Sequence, residues 1–400
     1  MSGAASPSEL RRPGRWAPPL WLSATAGLLA AGGFGGFVWA LGLDPHRAWG
    51  SYLIGFFFFV SLALAGSFFV ALQYLTSAGW SVSVRRIPEA MTAFLIPGAV
   101  LGGGVILGAH HLYHWTQDEA MKSDLVLLHK APYLNLSRMA LSAIVVFVVW
   151  IGLSSWITSN SRRQDHTGAA RLTRRNAVLS AVFMVLFALS YSVASIDWLM
   201  SLDPHWFSTI WAPYMFSILM QVGMAFIALT TVLLRRTGKL DGFVSDHHIH
   251  DLGKLTFAFT VFWAYIAFSQ FLLIWYANLP EETTFFIERF HHGWGYVSVA
   301  LPIVKFVIPF LVLLPKTAKH RPAVLVPVAL WIIAATFLEL WWIVGPVVSH
   351  HGLSVPWMEL VVFVGFLGVF AVAFLWALSR HELVPIKDPR LSESIHHHEW

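Results

Sequence analysis

Residues 294–314 read WGYVSVALPIVKFVIPFLVLL, and the next apolar stretch, 323–345, reads AVLVPVALWIIAATFLELWWIVG. Each is long enough to cross about 30 Å of hydrocarbon as a helix. Each also carries a charge well inside it, Lys305 near the middle of the first and Glu339 within the second. A charge at that depth costs roughly 2.5–3.5 kcal/mol on insertion scales, and it is tolerated when it faces a bundle interior or a water-filled cavity. The two stretches predict an all-α polytopic membrane protein whose interior holds polar groups.

The rest of the chain agrees. Only 12% of its 400 residues are charged, against about 25% in soluble domains. Long apolar runs mark about ten spans, at 20–42, 51–76, 91–113, 138–159, 176–194, 207–234, 251–276, 294–314, 323–345 and 357–379. Barrel strands are about ten residues long and alternate in polarity, which these runs do not. No soluble domain fits between them, so residues 20–379 form one membrane domain with polar tails at 1–19 and 380–400. The loops 114–137, 160–175 and 277–293 are the long ones.

Orientation follows from the basic residues. The tails and the loops after even-numbered spans hold about 19 of the 26 Lys and Arg, and the positive-inside rule then places both termini in the cytoplasm. The net charge of +5 is a topology signature and gives no reason to expect nucleic acid. Arg11, Arg12 and Arg15 precede an apolar run too long for a signal core, so the first span is expected to stay. With no cysteine, the chain holds no disulfide, thiolate-ligated iron–sulfur cluster or covalently attached haem c. Trp49, Trp115, Trp206, Trp294 and Trp357 sit near span ends, as an interfacial aromatic belt does.

Lys305 lies between Pro302 and Pro309. Each proline frees a backbone carbonyl one turn earlier, which suits a buried lysine or a file of water. Counted from the outer helix ends, Lys305 lies about 17 Å deep and Glu339 roughly 9 Å. That offset predicts a water-bridged relay rather than a direct salt bridge; a structural ion pair is the bland alternative. Asp197 ends its span after Ser190, Ser192 and Ser195 on the outer side. Asp197, His292, Glu339 and Lys305 then read as proton stations from the outer side inward. Gln221, Tyr265, Ser269 and Gln270 are candidates to extend the path, and Lys254 snorkels at the inner side. The clusters His110/His111/His114, His291/His292 and His350/His351 lie near the outer surface. No span has a histidine near its centre, so haem ligation by this chain is not expected. Spans two to five and six to nine start on the same side and suggest two four-helix units with the first and last spans outside them.

Two stretches carry a resemblance. Residues 197–206 read DWLMSLDPHW, and 250–283 read HDLGKLTFAFTVFWAYIAFSQFLLIWYANLPEET. With the surrounding hydrophobic region, about residues 20–380, the chain resembles the ActF-type subunits of bacterial alternative complex III, within the NrfD/PsrC-like membrane proteins. The resemblance implies two four-helix bundles plus flanking helices in a bacterial inner membrane. It implies a cofactor-free subunit of a quinol-oxidising complex that scaffolds the assembly and contributes a proton route. The implied partners are a sister NrfD-like subunit, ActC, periplasmic iron–sulfur and multihaem cytochrome c subunits carrying the redox centres, and a terminal oxidase. No quinone motif of the family transfers to numbered positions here. Three other readings stay open from the residues alone: a secondary transporter with a midplane polar site, a directly quinone-binding subunit, and a pure assembly scaffold.

Overall fold

A computed structural model describes residues 14–117, 124–349 and 352–398. It is all-helical apart from one isolated bridge, Arg15 to Glu382, where the two tails meet. Among the described residues, ten helices are long and apolar enough to cross a membrane: Leu20–Leu41, Pro45–Leu75, Arg86–Leu107, Leu136–Thr167, Ala170–Leu202, Trp211–Arg235, Asp246–Ala277, Gly295–Leu313, Pro322–Val348 and Trp357–Ser379. They are the first to tenth spans below. The end that holds the tails is the basic end; the other is the far end.

Helix ends depart from the apolar runs for local reasons. The second span starts at Pro45 rather than near 51, because Asp44 caps it by accepting from the Arg47 N–H at 3.1 Å and proline suits the first helical position. The expected long loop 160–175 shrinks to a turn at Gly168, whose φ of +66° suits glycine. Helical hydrogen bonding continues past the apolar run there because amides pair across the two helices. Asn160 Nδ2 donates to Asn176 Oδ1 at 2.9 Å, and Gln164 Nε2 donates to Thr173 Oγ1 at 2.7 Å. The loop 277–293 contains a helix, Pro280–Phe290.

The second and sixth spans are almost wholly buried, and the other eight keep broad lipid-facing sides. The second to fifth spans pack in a ring, second on third, third on fourth, fourth on fifth and fifth on second. The sixth to ninth do the same. The two units meet where the second span touches the sixth and ninth, and where the fifth touches the sixth. The first and tenth spans pack on each other beside the first unit. Their backbones nearly touch: a Cβ on Gly33 would lie 2.2 Å from the Gly365 Cα. Lipid supplies no hydrophobic drive between helices, so such small-residue contacts supply the packing.

The tail folds back over the basic end. Asp388 accepts from Arg85 at 2.6 Å, Ser394 bonds Ser83 and His248, and His397 Nε2 lies 2.6 Å from Asp251. The terminal histidines therefore pack against the start of the seventh span.

Candidate functional site

The eighth span is interrupted. Residues Ile303–Val307 form a π-helical turn between two α segments, and Lys305 is at its centre. Pro309 explains the interruption. It has no N–H for the carbonyl four residues back, Lys305, nor for the one five back, Val304. Both carbonyls find side chains instead. Gln221 Nε2 donates to the Lys305 carbonyl at 3.1 Å, and Trp331 Nε1 donates to the Val304 carbonyl at 2.8 Å.

Lys305 and Glu339 are both fully buried and in direct contact, Nζ to Oε2. Lys305 also donates to Thr336 Oγ1 at 3.2 Å and lies 5.1 Å from the Trp263 ring centre. The other Glu339 oxygen accepts from the Tyr214 hydroxyl and from Trp263 Nε1, the latter at 2.8 Å. The sixth, seventh, eighth and ninth spans thus each contribute to one polar cluster inside the second unit. The water-bridged spacing expected from sequence is not what the fold makes. The ninth span runs on to Val348, so Glu339 lies about 14 Å from its far end, against about 15 Å for Lys305 below Gly295. With the depths matched, the lysine side chain reaches the carboxylate directly.

Of the other expected stations, Gln221 joins the cluster and links it to Thr260 Oγ1 at 3.3 Å. Asp197 does not. It lies in the first unit, gripped by both Arg138 Nη atoms at 2.9 Å, by the Tyr133 hydroxyl at 2.8 Å and by Ser142 at 2.6 Å. Burial and the Asp197 charge push the Tyr133 phenol up to about 12, so that donor stays protonated. His292 is exposed on a far-end loop, where its carbonyl accepts from the Leu353 N–H at 2.9 Å. Lys254 is half-exposed and pairs with Asp251 at 2.6 Å, in keeping with a snorkelling lysine. Tyr265 is mostly exposed on the seventh span, Ser269 is part-buried, and Gln270 is buried without a bond to the pair. The His350/His351 cluster lies outside the described residues.

Several polar residues escaped the sequence reading. Tyr214, Trp263 and Thr336 carry no charge and look like ordinary span residues; Thr336 alone had a signal, three positions before Glu339. Arg289, on the helix Pro280–Phe290, is another. It is buried and donates to the Phe285 and Ile343 carbonyls at 2.8 and 2.6 Å, and burial pulls its guanidinium down to about 10. At the basic end, Arg86 is buried between Glu89, at 2.5 Å, and Asp165. Because Arg86 and Glu89 are paired there rather than left as lone charges, the third span starts at Arg86 rather than near 91.

The arrangement repeats. In each unit a cation on the third helix faces a carboxylate on the fourth: Arg138 with Asp197, Lys305 with Glu339. Among the described residues no group of three or more His, Asp or Glu is placed to hold a metal ion.

Ten apolar spans enclosing a charged pair define a multi-pass membrane protein built around two four-helix units. No protein-family model matches the chain, and no curated protein matches it.

Proposed function

We propose that this chain is the membrane subunit of a quinol-oxidising respiratory complex of the alternative complex III type, and that the Lys305–Glu339 cluster exchanges protons on its behalf. The observation that carries the proton role is the direct contact of an amine and a carboxylate, both fully buried, with Tyr214 as a hydroxyl neighbour. Proton exchange needs groups whose charged forms are balanced closely enough to trade a proton. A proton also needs groups in hydrogen-bond contact to pass between, and Lys305, Glu339 and Tyr214 are in contact. Gln221 and Thr260 extend the polar line from Lys305. The redox role and the partners rest on the resemblance of residues 197–206 and 250–283. The complex's haem c and iron–sulfur centres would belong to the partner chains.

The test has two parts. Affinity purification from native membranes should recover multihaem cytochrome and iron–sulfur chains; recovery of this chain without redox partners would refute the assignment. In reconstituted complexes, Glu339→Gln or Lys305→Met should lower proton translocation more than quinol oxidation. Equal losses in both would remove the proton role.

The transporter reading loses ground on one observation. Matched repeats should break at matched helices. Here the third span carries a 3-10 turn at Thr92–Phe94 and the eighth a π turn, so the breaks fall on the second helix of one unit and the third of the other. The scaffold reading keeps one in its favour: both Glu339 oxygens are bonded, as in a static ion pair.

A further inference from the structure

The fourth and fifth spans form a hairpin at the edge of the first unit, closed at the basic end by the Gly168 turn. Each presents an apolar stripe to lipid. On the fifth span the stripe runs back from Leu189 through Val185 and Val182 to Val178, at spacings of three and four, and Val178 is 67% exposed. On the fourth it runs through Leu141, Val145 and Val148 to Trp156, which is 45% exposed. Both stripes continue into arginine. Arg175 and Arg171 lie three and seven residues before Val178, on its face, and Arg163 lies seven residues after Trp156, on its face. All three are exposed, as is Arg174 beside them. The Arg175 guanidinium lies over the Trp156 ring, 4.8 Å from its centre, so the two faces adjoin.

These arginines differ from the others at the same end. Arg85, Arg86, Arg235 and Arg390 each pair with an Asp or Glu. Arg163, Arg171, Arg174 and Arg175 pair with no carboxylate among the described residues. The positive-inside rule asks only for positive charge at this end. It does not ask for arginine over lysine, nor for charges that prolong a lipid-facing stripe. Yet residues 160–175 hold five arginines and no lysine. A guanidinium fork meets two phosphate oxygens at once, and an ammonium does not. The depth also suits a headgroup. Tryptophan favours the membrane interface, and Arg171 lies one turn, about 6 Å, beyond Arg175, within a headgroup layer about 5–8 Å deep.

We propose that the basic end of this hairpin is a binding site for an anionic phospholipid, its headgroup phosphate held by Arg163, Arg171, Arg174 and Arg175 and its tails laid along the stripe from Val178 to Leu189. An acidic protein surface would meet the arginines but would leave the apolar stripe beside them unused. The site is independent of the respiratory assignment, because binding is read on this chain alone.

The full chain in dodecyl maltoside is titrated with phosphatidylglycerol and, separately, with phosphatidylethanolamine carrying the same tails, and bound lipid is counted by native mass spectrometry. Phosphatidylglycerol is expected to bind about tenfold more tightly or better. Arg171→Gln with Arg175→Gln should weaken it about thirtyfold, which is about 2 kcal/mol at 1.4 kcal/mol per tenfold. Arg236→Gln with Lys239→Gln removes the same charge from exposed positions after the sixth span and should leave binding near wild type. Excess inorganic phosphate should not displace the lipid, since it has no tails. Circular dichroism checks that the variants stay helical. If the glutamine pair does not fold, Arg171→Lys with Arg175→Lys carries the test: it keeps the charge, loses the fork and should bind several-fold more weakly. Equal binding of the two lipids, equal losses in the hairpin and control variants, or displacement by inorganic phosphate overturns the proposal. So does wild-type affinity in the folded hairpin variant, which would leave these arginines to topology or to an acidic partner.

Discussion

Glu339 takes two hydrogen bonds on one oxygen and Lys305 on the other, all inside a span bundle. Removing one partner leaves the other charge buried and unpaired, which costs about 3–5 kcal/mol. Lys305→Met and Glu339→Gln should each destabilise the chain on that scale. The double variant should lose less than the sum, since no lone charge is left, with a coupling of about 0.5–3 kcal/mol. Unfolding of the three variants in detergent measures this, and strict additivity would mean the residues do not act as a pair. His381 gives a second prediction, just beyond the tenth span. Burial, helped by the charges of Arg162 and Arg86, lowers its pKa to about 4. The unfolded chain then binds the extra proton between about pH 4 and 6.5. His381 therefore contributes stability that is present above about pH 6.5 and lost as pH falls towards 4. His381→Asn should flatten stability over that window relative to wild type; an unchanged pH profile counts against it. At this scale Lys305 and Glu339 were legible because a charge in an apolar run stands out. Tyr214 and Trp263 were not, since their roles exist only once the sixth and seventh spans meet the ninth.

Single elements show how lipid changes helix packing. The first and tenth spans approach through Gly33 and Gly365, where a Cβ on Gly33 would lie 2.2 Å from the facing Cα. Gly35, two residues on, has nothing within 4 Å of its would-be Cβ. Gly33→Val should therefore force these helices apart, and overpacking of this kind typically costs about 1–3 kcal/mol. Gly35→Val should change little. Protease sensitivity and thermal unfolding of the two variants compare the sites, and equal behaviour would show that the close approach is not what holds the pair. The π turn of the eighth span was half legible. Pro302 and Pro309 announced a break, but not that Gln221 and Trp331 would take the two freed carbonyls.

Across the whole molecule, two rings of four helices each place a cation opposite a carboxylate, but with different bases. Arginine keeps its charge at any physiological pH, whereas a buried lysine readily loses a proton. The Arg138–Asp197 pair is thus fitted to hold the first unit together, and the proton role proposed above falls to the Lys305–Glu339 pair. Arg138→Lys should lower stability and leave proton-coupled turnover of the assembled complex near wild type; a turnover loss as deep as that of Lys305→Met would erase the distinction. The basic residues cluster at the end where the tails meet, which predicts that end to be cytoplasmic. Reporter fusions at the Gly168 turn should read as cytoplasmic, and a periplasmic signal there would reverse the orientation.

Span number, the common side of both tails and the two intramembrane charges were all determined by the sequence, because each depends on a local run of residues and its cost in lipid. The suggestion of two four-helix units was also present, in the matched starting sides of the second and sixth spans. Only the tertiary structure decided how the charges pair. Asp197 was expected on a path with Glu339, yet it belongs to Arg138, because the fourth and fifth spans close one ring and the eighth and ninth another. The helix ends were decided there too. Hydropathy stops where apolar residues stop, whereas the helices run on wherever Asn160, Gln164 and Arg86 find partners on a neighbouring span or on the turns beside it.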